Sequence, residues 1–285
     1  MSSPLQTGML DRVARTNWKT IGLFLLAFVL VFANVAGLFG LHVLTTLSGG
    51  LLNATLINAW VGILLVVGVV ALWYGGLRPA DLGFEPRKLP LGVGLTLLAW
   101  VVFTGAQAAY GLVVGSLAVH PSWSDPGVVA TTGRTLGYWL GNAPFEELAF
   151  RGFLLVQLYL LFDRWSDDRR LRLVGAVAGS GLVFTLLHVP VVVLGGVDPL
   201  FLVNIFVYAV ALSFVYLRTQ NIFFTMGVHA LANFPIPAFA VFEAHALAFQ
   251  LVWIAVAAGV VVFWHRIPGA EPVARPADPG GPVRG

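Results

Sequence analysis

The sequence predicts an all-α, polytopic membrane protein with eight transmembrane helices and both termini cytoplasmic. Three observations carry that expectation. Only 10% of the 285 residues are Asp, Glu, Lys or Arg, while 58% are hydrophobic; a soluble domain carries about a quarter charged residues. The apolar residues come in long uninterrupted blocks rather than in helical stripes. The Lys and Arg residues gather in alternate connecting segments, as cytoplasmic loops do. These features exclude a water-soluble enzyme, a disordered chain and a nucleic-acid binder, and the pI near 9.5 reflects a net charge of only +3.

A helix needs about 20 apolar residues, at 1.5 Å each, to cross the hydrocarbon core. Eight blocks qualify: 21–47, 55–74, 90–119, 136–162, 173–194, 199–217, 222–242 and 246–264. The first follows Arg12, Arg15 and Lys19 and is far longer than a signal-peptide core of about 7–15 residues, so it stays in the mature chain. With residues 1–20 as a cytoplasmic segment, all but two of the 16 Lys and Arg fall inside; Arg134 falls outside and Arg151 lies within a span. Merging the block 199–217 into a seven-span chain scrambles that partition. Residues 21–265 therefore read as one membrane domain, placed in the cell membrane, with a disordered Pro/Gly-rich tail over 266–285. The absence of cysteine removes disulfides, thiol nucleophiles and Cys-ligated metals.

Within the spans only Glu146, Glu147 and Arg151 carry formal charge. An ionisable side chain at bilayer depth costs at least about 2.5–3.5 kcal/mol, so these residues mark a functional site. His188 joins them from the fifth span, and His229 and Asn233 from the seventh. At 1.5 Å per residue Glu146, His188, His229 and Asn233 lie about 25, 24, 17 and 22 Å from the inner ends of their helices, which brings three helices' polar groups to one layer. Glu147 and Arg151 are four residues apart with Glu first, the order that favours an ion pair. Glu146, about 100° round the helix, is left for other work. His229 and Asn233 share the same spacing, as do Phe184 and His188. Pro144, Pro190, Pro235 and Pro237 interrupt these helices, and membranes accept the freed backbone groups only where protein or a wet cavity receives them. His42, with no carboxylate partner in sequence, reads as bonded to a backbone carbonyl; His120, His245 and His265 read as residues at headgroup level.

A shielded carboxylate beside an imidazole can take a proton from water, and an imidazole with an amide can hold an oxyanion. Glu146 and His188 as water activators, with His229 and Asn233 as oxyanion donors, describe an amide hydrolase that forms no covalent intermediate and requires no cofactor. The alternative is a zinc ion held by Glu146, His188 and His229. No HExxH is present, and Asn233 suits a donor better than a ligand. A buried structural staple leaves Glu146 as an unpaired acid. A proton-coupled transporter uses similar relays, but here the polar residues occupy only the C-terminal half, without paired halves.

Glu146-Glu147-x-x-x-Arg151, Phe184-x-x-x-His188 and His229-x-x-x-Asn233, in this order, resemble the three motifs of the CPBP intramembrane proteases. That family includes the CAAX-prenyl endopeptidases and bacteriocin-processing or immunity-type proteins. The resemblance covers about 136–242, while the first three spans match only as hydrophobic helices. It implies an eight-helix endopeptidase with Glu146 as general base assisted by His188. His229 and Asn233 polarise the scissile carbonyl, and Glu147, Arg151 and Phe184 order the site. The implied partners are membrane lipid and a peptide or protein substrate, lipidated in the case of CAAX tails. The last motif carries Asn where other members have Asp. The resemblance also leaves open a catalytically inactive immunity or binding protein on the same scaffold.

Overall fold

A chain in lipid must satisfy its backbone hydrogen bonds internally, and helices do so within one segment. The computed structural model describes residues 10, 13–32, 40–41, 43–240 and 246–270. Its regular elements are helical; the one β contact among the described residues is an isolated bridge between Val119 and Phe239. Helix α1 spans Trp18–Phe32, α2 Ala54–Tyr74, α3 Leu89–Val113, α4 residues 128–161 and α5 Arg169–Leu187, which continues through a bend into Val189–Gly195. Helix α6 spans Phe201–Thr219, α7 Ile222–Asn233 and α8 Ala246–Val262.

Among the described residues, four helices are long and apolar enough to cross a membrane: α2, α3 counted from Pro86, α5 with its extension, and α6. Helices α1 and α7 and the described side chains of α8 form shorter apolar segments. Helix α4 is uninterrupted but carries Arg134, Glu146, Glu147 and Arg151. Several expected spans end early. Within the block 21–47 the described helix runs to Phe32, and after residues 33–39 the chain turns at Gly40 (φ 66°) before a separate short helix, Val43–Leu47. The block 90–119 is helical only to Val113, where Gly115 takes φ 68°. The block 222–242 is helical only to Asn233, because Pro235 and Pro237 lack N–H donors and push the residues before them into extended backbone. Residues 33–39, His42, residues 241–245 with His245, and residues 271–285 of the tail lie outside the described residues.

Helix α4 occupies the centre. Nearly every side chain from Phe145 to Tyr159 is buried, as a helix that is apolar all round requires. From α1, Phe24 packs on Phe153 at 4.6 Å between ring centroids, and Phe28 on Phe145 and Phe150 at 5.0 Å each. Residues Gly137–Asn142 and Leu148–Leu155 wind as π turns on either side of the α turn Ala143–Glu147, a widening that recurs at functional sites. Helix α6 packs on α5, and α7 lies between α3 and α4.

The seat of α7 is set by small residues and one cap. Asn221 Oδ1 accepts from the backbone N–H groups of Phe223 and Phe224, and its Nδ2 donates to the Lys88 carbonyl at 3.1 Å, tying the start of α7 to the start of α3. Along the contact, a Cβ on Gly227 would fall 1.9 Å from Thr96 Oγ1, and a Cβ on Gly92 2.8 Å from the Phe224 nitrogen. Overpacking of this kind costs about 1–3 kcal/mol. Gly227→Ala is therefore expected to lower the thermal midpoint of the detergent-solubilised protein; an unchanged midpoint contradicts the close approach.

Candidate active site

The charged residues of α4 divide by the side of the helix they occupy. Arg151 is 1% exposed and Glu147 is fully buried. Arg151 Nη1 donates to Glu147 Oε1 at 2.9 Å, Nη2 donates to the Ala209 carbonyl of α6 at 3.1 Å, and the guanidinium lies 5.1 Å from the Phe184 ring centroid. Burying a charge is tolerated only with such compensation. Glu147 Oε1 also accepts from His229 Nδ1 at 2.6 Å. A carboxylate only accepts, so this contact puts the ring proton on Nδ1. The other nitrogen, Nε2, stands 3.5 Å from Glu146 Oε2.

Glu146 is thus bracketed. Its Oε1 accepts from Asn142 Nδ2, one turn earlier on α4, at 2.7 Å, while Oε2 faces the imidazole of α7. Asn142 Oδ1 in turn accepts from Asn233 Nδ2 at 2.8 Å. The position of Asn233 follows from what comes after it. The extended segment that leaves α7 is held by indole N–H donors: Trp139 to the Phe234 carbonyl at 2.9 Å, Trp100 to Ile236 at 3.2 Å, and Trp123 to Pro237. Phe234 stacks on Tyr138 of α4 at 5.6 Å.

His188 sits at the bend of α5. Its backbone N–H turns to the Thr185 carbonyl at 3.0 Å, which frees the Phe184 carbonyl to accept from the ring Nδ1 at 2.7 Å. A carbonyl only accepts, so His188 carries its proton on Nδ1 and, when neutral, a lone pair on Nε2. Phe184 packs against the same ring at 4.5 Å between centroids.

These groups border an open cavity of about 640 Å³ lined by Asn142 and Glu146 of α4, Phe184 and His188 of α5, Asn204 and Tyr208 of α6, and His229 and Asn233 of α7. Two sequence expectations change. The imidazole beside Glu146 is His229, not His188; His188 lines the same cavity but makes no hydrogen bond to Glu146 among the described residues. Glu147 holds more than Arg151, because its carboxylate also orients His229. For the zinc alternative, no three His, Asp or Glu side chains among the described residues form a group that could hold a metal ion, whereas His229 by itself has the form of a ligating imidazole, with Nδ1 donated to a carboxylate and Nε2 left facing Glu146. Asn142 and Tyr208 were not read from the sequence. Asn142 had a signal, since it precedes Glu146 by four residues in an apolar span.

Residues 129–235 match the family described as Type II CAAX prenyl endopeptidase Rce1-like. The segment that carries the site is thus similar to the CAAX protease family. The matched residues run from the start of α4 to just past Asn233, so they contain the three motifs and the helices that bring them together. No curated protein and no solved structure matches the chain. The buried ion pair sets a stability test. Arg151→Met leaves Glu147 buried without its cation, a change that costs about 3–5 kcal/mol. A clear fall in the thermal midpoint is expected, and a midpoint equal to wild type contradicts the pairing.

Proposed function

We propose that this protein is an intramembrane endopeptidase that hydrolyses peptide bonds with water activated by Glu146. The observation that carries the reading is the bracketing of Glu146 by an amide and an imidazole on the wall of a 640 Å³ cavity, inside a segment similar to the CAAX protease family. In this reading Glu146 takes a proton from a water in the cavity, and the oxygen adds to the scissile carbonyl. His188, with its Nε2 lone pair, assists by holding that water. The negative charge that forms on the carbonyl oxygen is met by the second N–H of Asn233, with the His229 ring held beside it by the Glu147 carboxylate. Collapse of the adduct breaks the C–N bond, and the proton held by Glu146 passes to the leaving amine. No cofactor enters any step.

The substrate in this reading is a membrane-associated peptide, with a prenylated C-terminal tail as the first to test. A second, apolar cavity of about 530 Å³, lined by Trp60, Leu97, Trp139, Leu148 and Met226 among others, has room for a hydrocarbon chain. In this reading both termini lie in the cytoplasm and the chain crosses the membrane eight times, with α1, α4, α7 and α8 completing the four longer helices. Because the sequence has no native cysteine, single substitutions report topology directly. Ser166→Cys is expected to react with an impermeant maleimide only from the cytoplasmic side and Ser124→Cys only from the other; labelling from the same side removes the eight-span arrangement.

Loss of a general base lowers rates by about 10²–10⁴-fold. In proteoliposomes given a fluorogenic farnesylated CAAX peptide and its unprenylated counterpart, Glu146→Gln is expected to lose cleavage by that factor with an unchanged thermal midpoint. Wild-type cleavage is expected to survive exhaustive chelation. Full activity in Glu146→Gln rules out the glutamate as base, and loss on chelation that added zinc restores reinstates the metal.

A further inference from the structure

We propose that Asn142 is a positioning residue that couples the Glu146 carboxylate to the Asn233 amide, so that base and oxyanion donor are set by one hydrogen-bond chain. The inference rests on the hydrolase reading and adds to it a residue that none of the three motifs contains.

Hydrogen-bond polarity carries the argument. Glu146 accepts at Oε1, and an ionised carboxylate has no proton to give, so the Asn142 atom 2.7 Å away must be the Nδ2 donor. That choice turns Asn142 Oδ1 the other way, toward Asn233. An acceptor there requires a donor opposite, so Asn233 must present Nδ2, at 2.8 Å. Each amide could be flipped in isolation; linked in series to a carboxylate, neither can be flipped without placing two acceptors in contact. The charge on Glu146 therefore decides which end of the Asn233 amide turns toward α4, and with it where the second N–H points.

Geometry adds a second effect. Asn142 lies one helical turn before Glu146 on α4 and holds Oε1 back along the helix, which leaves Oε2 toward His229 at 3.5 Å. A glutamate without that tether samples several rotamers. Misplacing a reacting group by about 1 Å can cost about 10²-fold in rate. Asn142 also joins α4 to α7 across the cavity wall, so its contribution is greatest where both helices supply reacting groups.

Kinetics on the reconstituted full chain test the coupling. Asn142→Ala is expected to lower kcat by about 10–100-fold with KM within about threefold of wild type, the mark of an interaction that acts in the transition state. The double variant Asn142→Ala/Asn233→Ala is expected to be no more than about threefold worse than the poorer single variant, because both act on one chain. Asn142→Asp, of the same shape, keeps the acceptor for Asn233 and removes the donor to Glu146, and is expected to lose kcat to a similar extent. A wild-type kcat in Asn142→Ala, or losses that multiply in the double variant, overturns the proposal. So does failure of both Asn142 variants to fold, which makes the residue structural. A second readout does not depend on cleavage: the Glu146 carboxylate stretch, isolated by subtracting the infrared spectrum of Glu146→Gln, is expected to shift in Asn142→Ala. An unmoved band overturns the contact itself. Absence of wild-type cleavage alongside a shifted band instead sinks the hydrolase reading and leaves the contact standing.

Discussion

Arg151 can be buried in the middle of this bundle only because Glu147 lies one turn before it on the same helix. A guanidinium removed from water loses more than any single contact returns, and several partners must share the compensation. Here they come from four helices: the carboxylate of α4, the Ala209 carbonyl of α6, the Phe184 ring of α5 and, through Glu147, the imidazole of His229 on α7. The ion pair thus acts as the point about which α4 to α7 are arranged. It also has a direction. Glu147 Oε1 accepts from His229 Nδ1, so the ring is turned with Nε2 toward Glu146.

Two adjacent glutamates consequently live in different surroundings. Glu147 is fully buried and shared between a cation and an imidazole; Glu146 is held at one oxygen by Asn142, faces His229 with the other, and lines the cavity. Neighbouring acids divided this way can take separate roles, one fixing the frame and one meeting the reactant. The division originates in helix geometry, since residues one apart point about 100° from each other. The widened turns around Ala143–Glu147 then deliver both to useful places.

Helix α7 is short, and its precision comes from its ends. Asn221 locks the start to Lys88, Gly227 lets the middle approach Thr96, and three indoles hold the extended chain that follows Asn233. Those tryptophans sit on α3, α4 and the segment between them, far from α7 in sequence. They satisfy carbonyls that a continuing helix would have satisfied itself, which is why the prolines beyond Asn233 can end the helix inside an apolar environment.

By itself the sequence determined that the chain is helical and suited to a membrane, because composition and block length are properties of the chain alone. It determined the Glu147–Arg151 pair and the His188–Phe184 contact as well, since residues four apart on a helix meet whatever surrounds them. The same rule applied at Asn142 reaches Glu146, so that contact was within reach of the sequence too. Only the tertiary structure decided which histidine stands beside Glu146. Depth along an axis follows from counting residues, but the rotation of one helix about its own axis relative to another depends on side-chain packing, on Gly227 against Thr96 and on Phe28 against Phe145 and Phe150. Counting placed His188 and His229 in one layer; packing turned His229 onto the two glutamates and left His188 elsewhere on the wall of the same cavity.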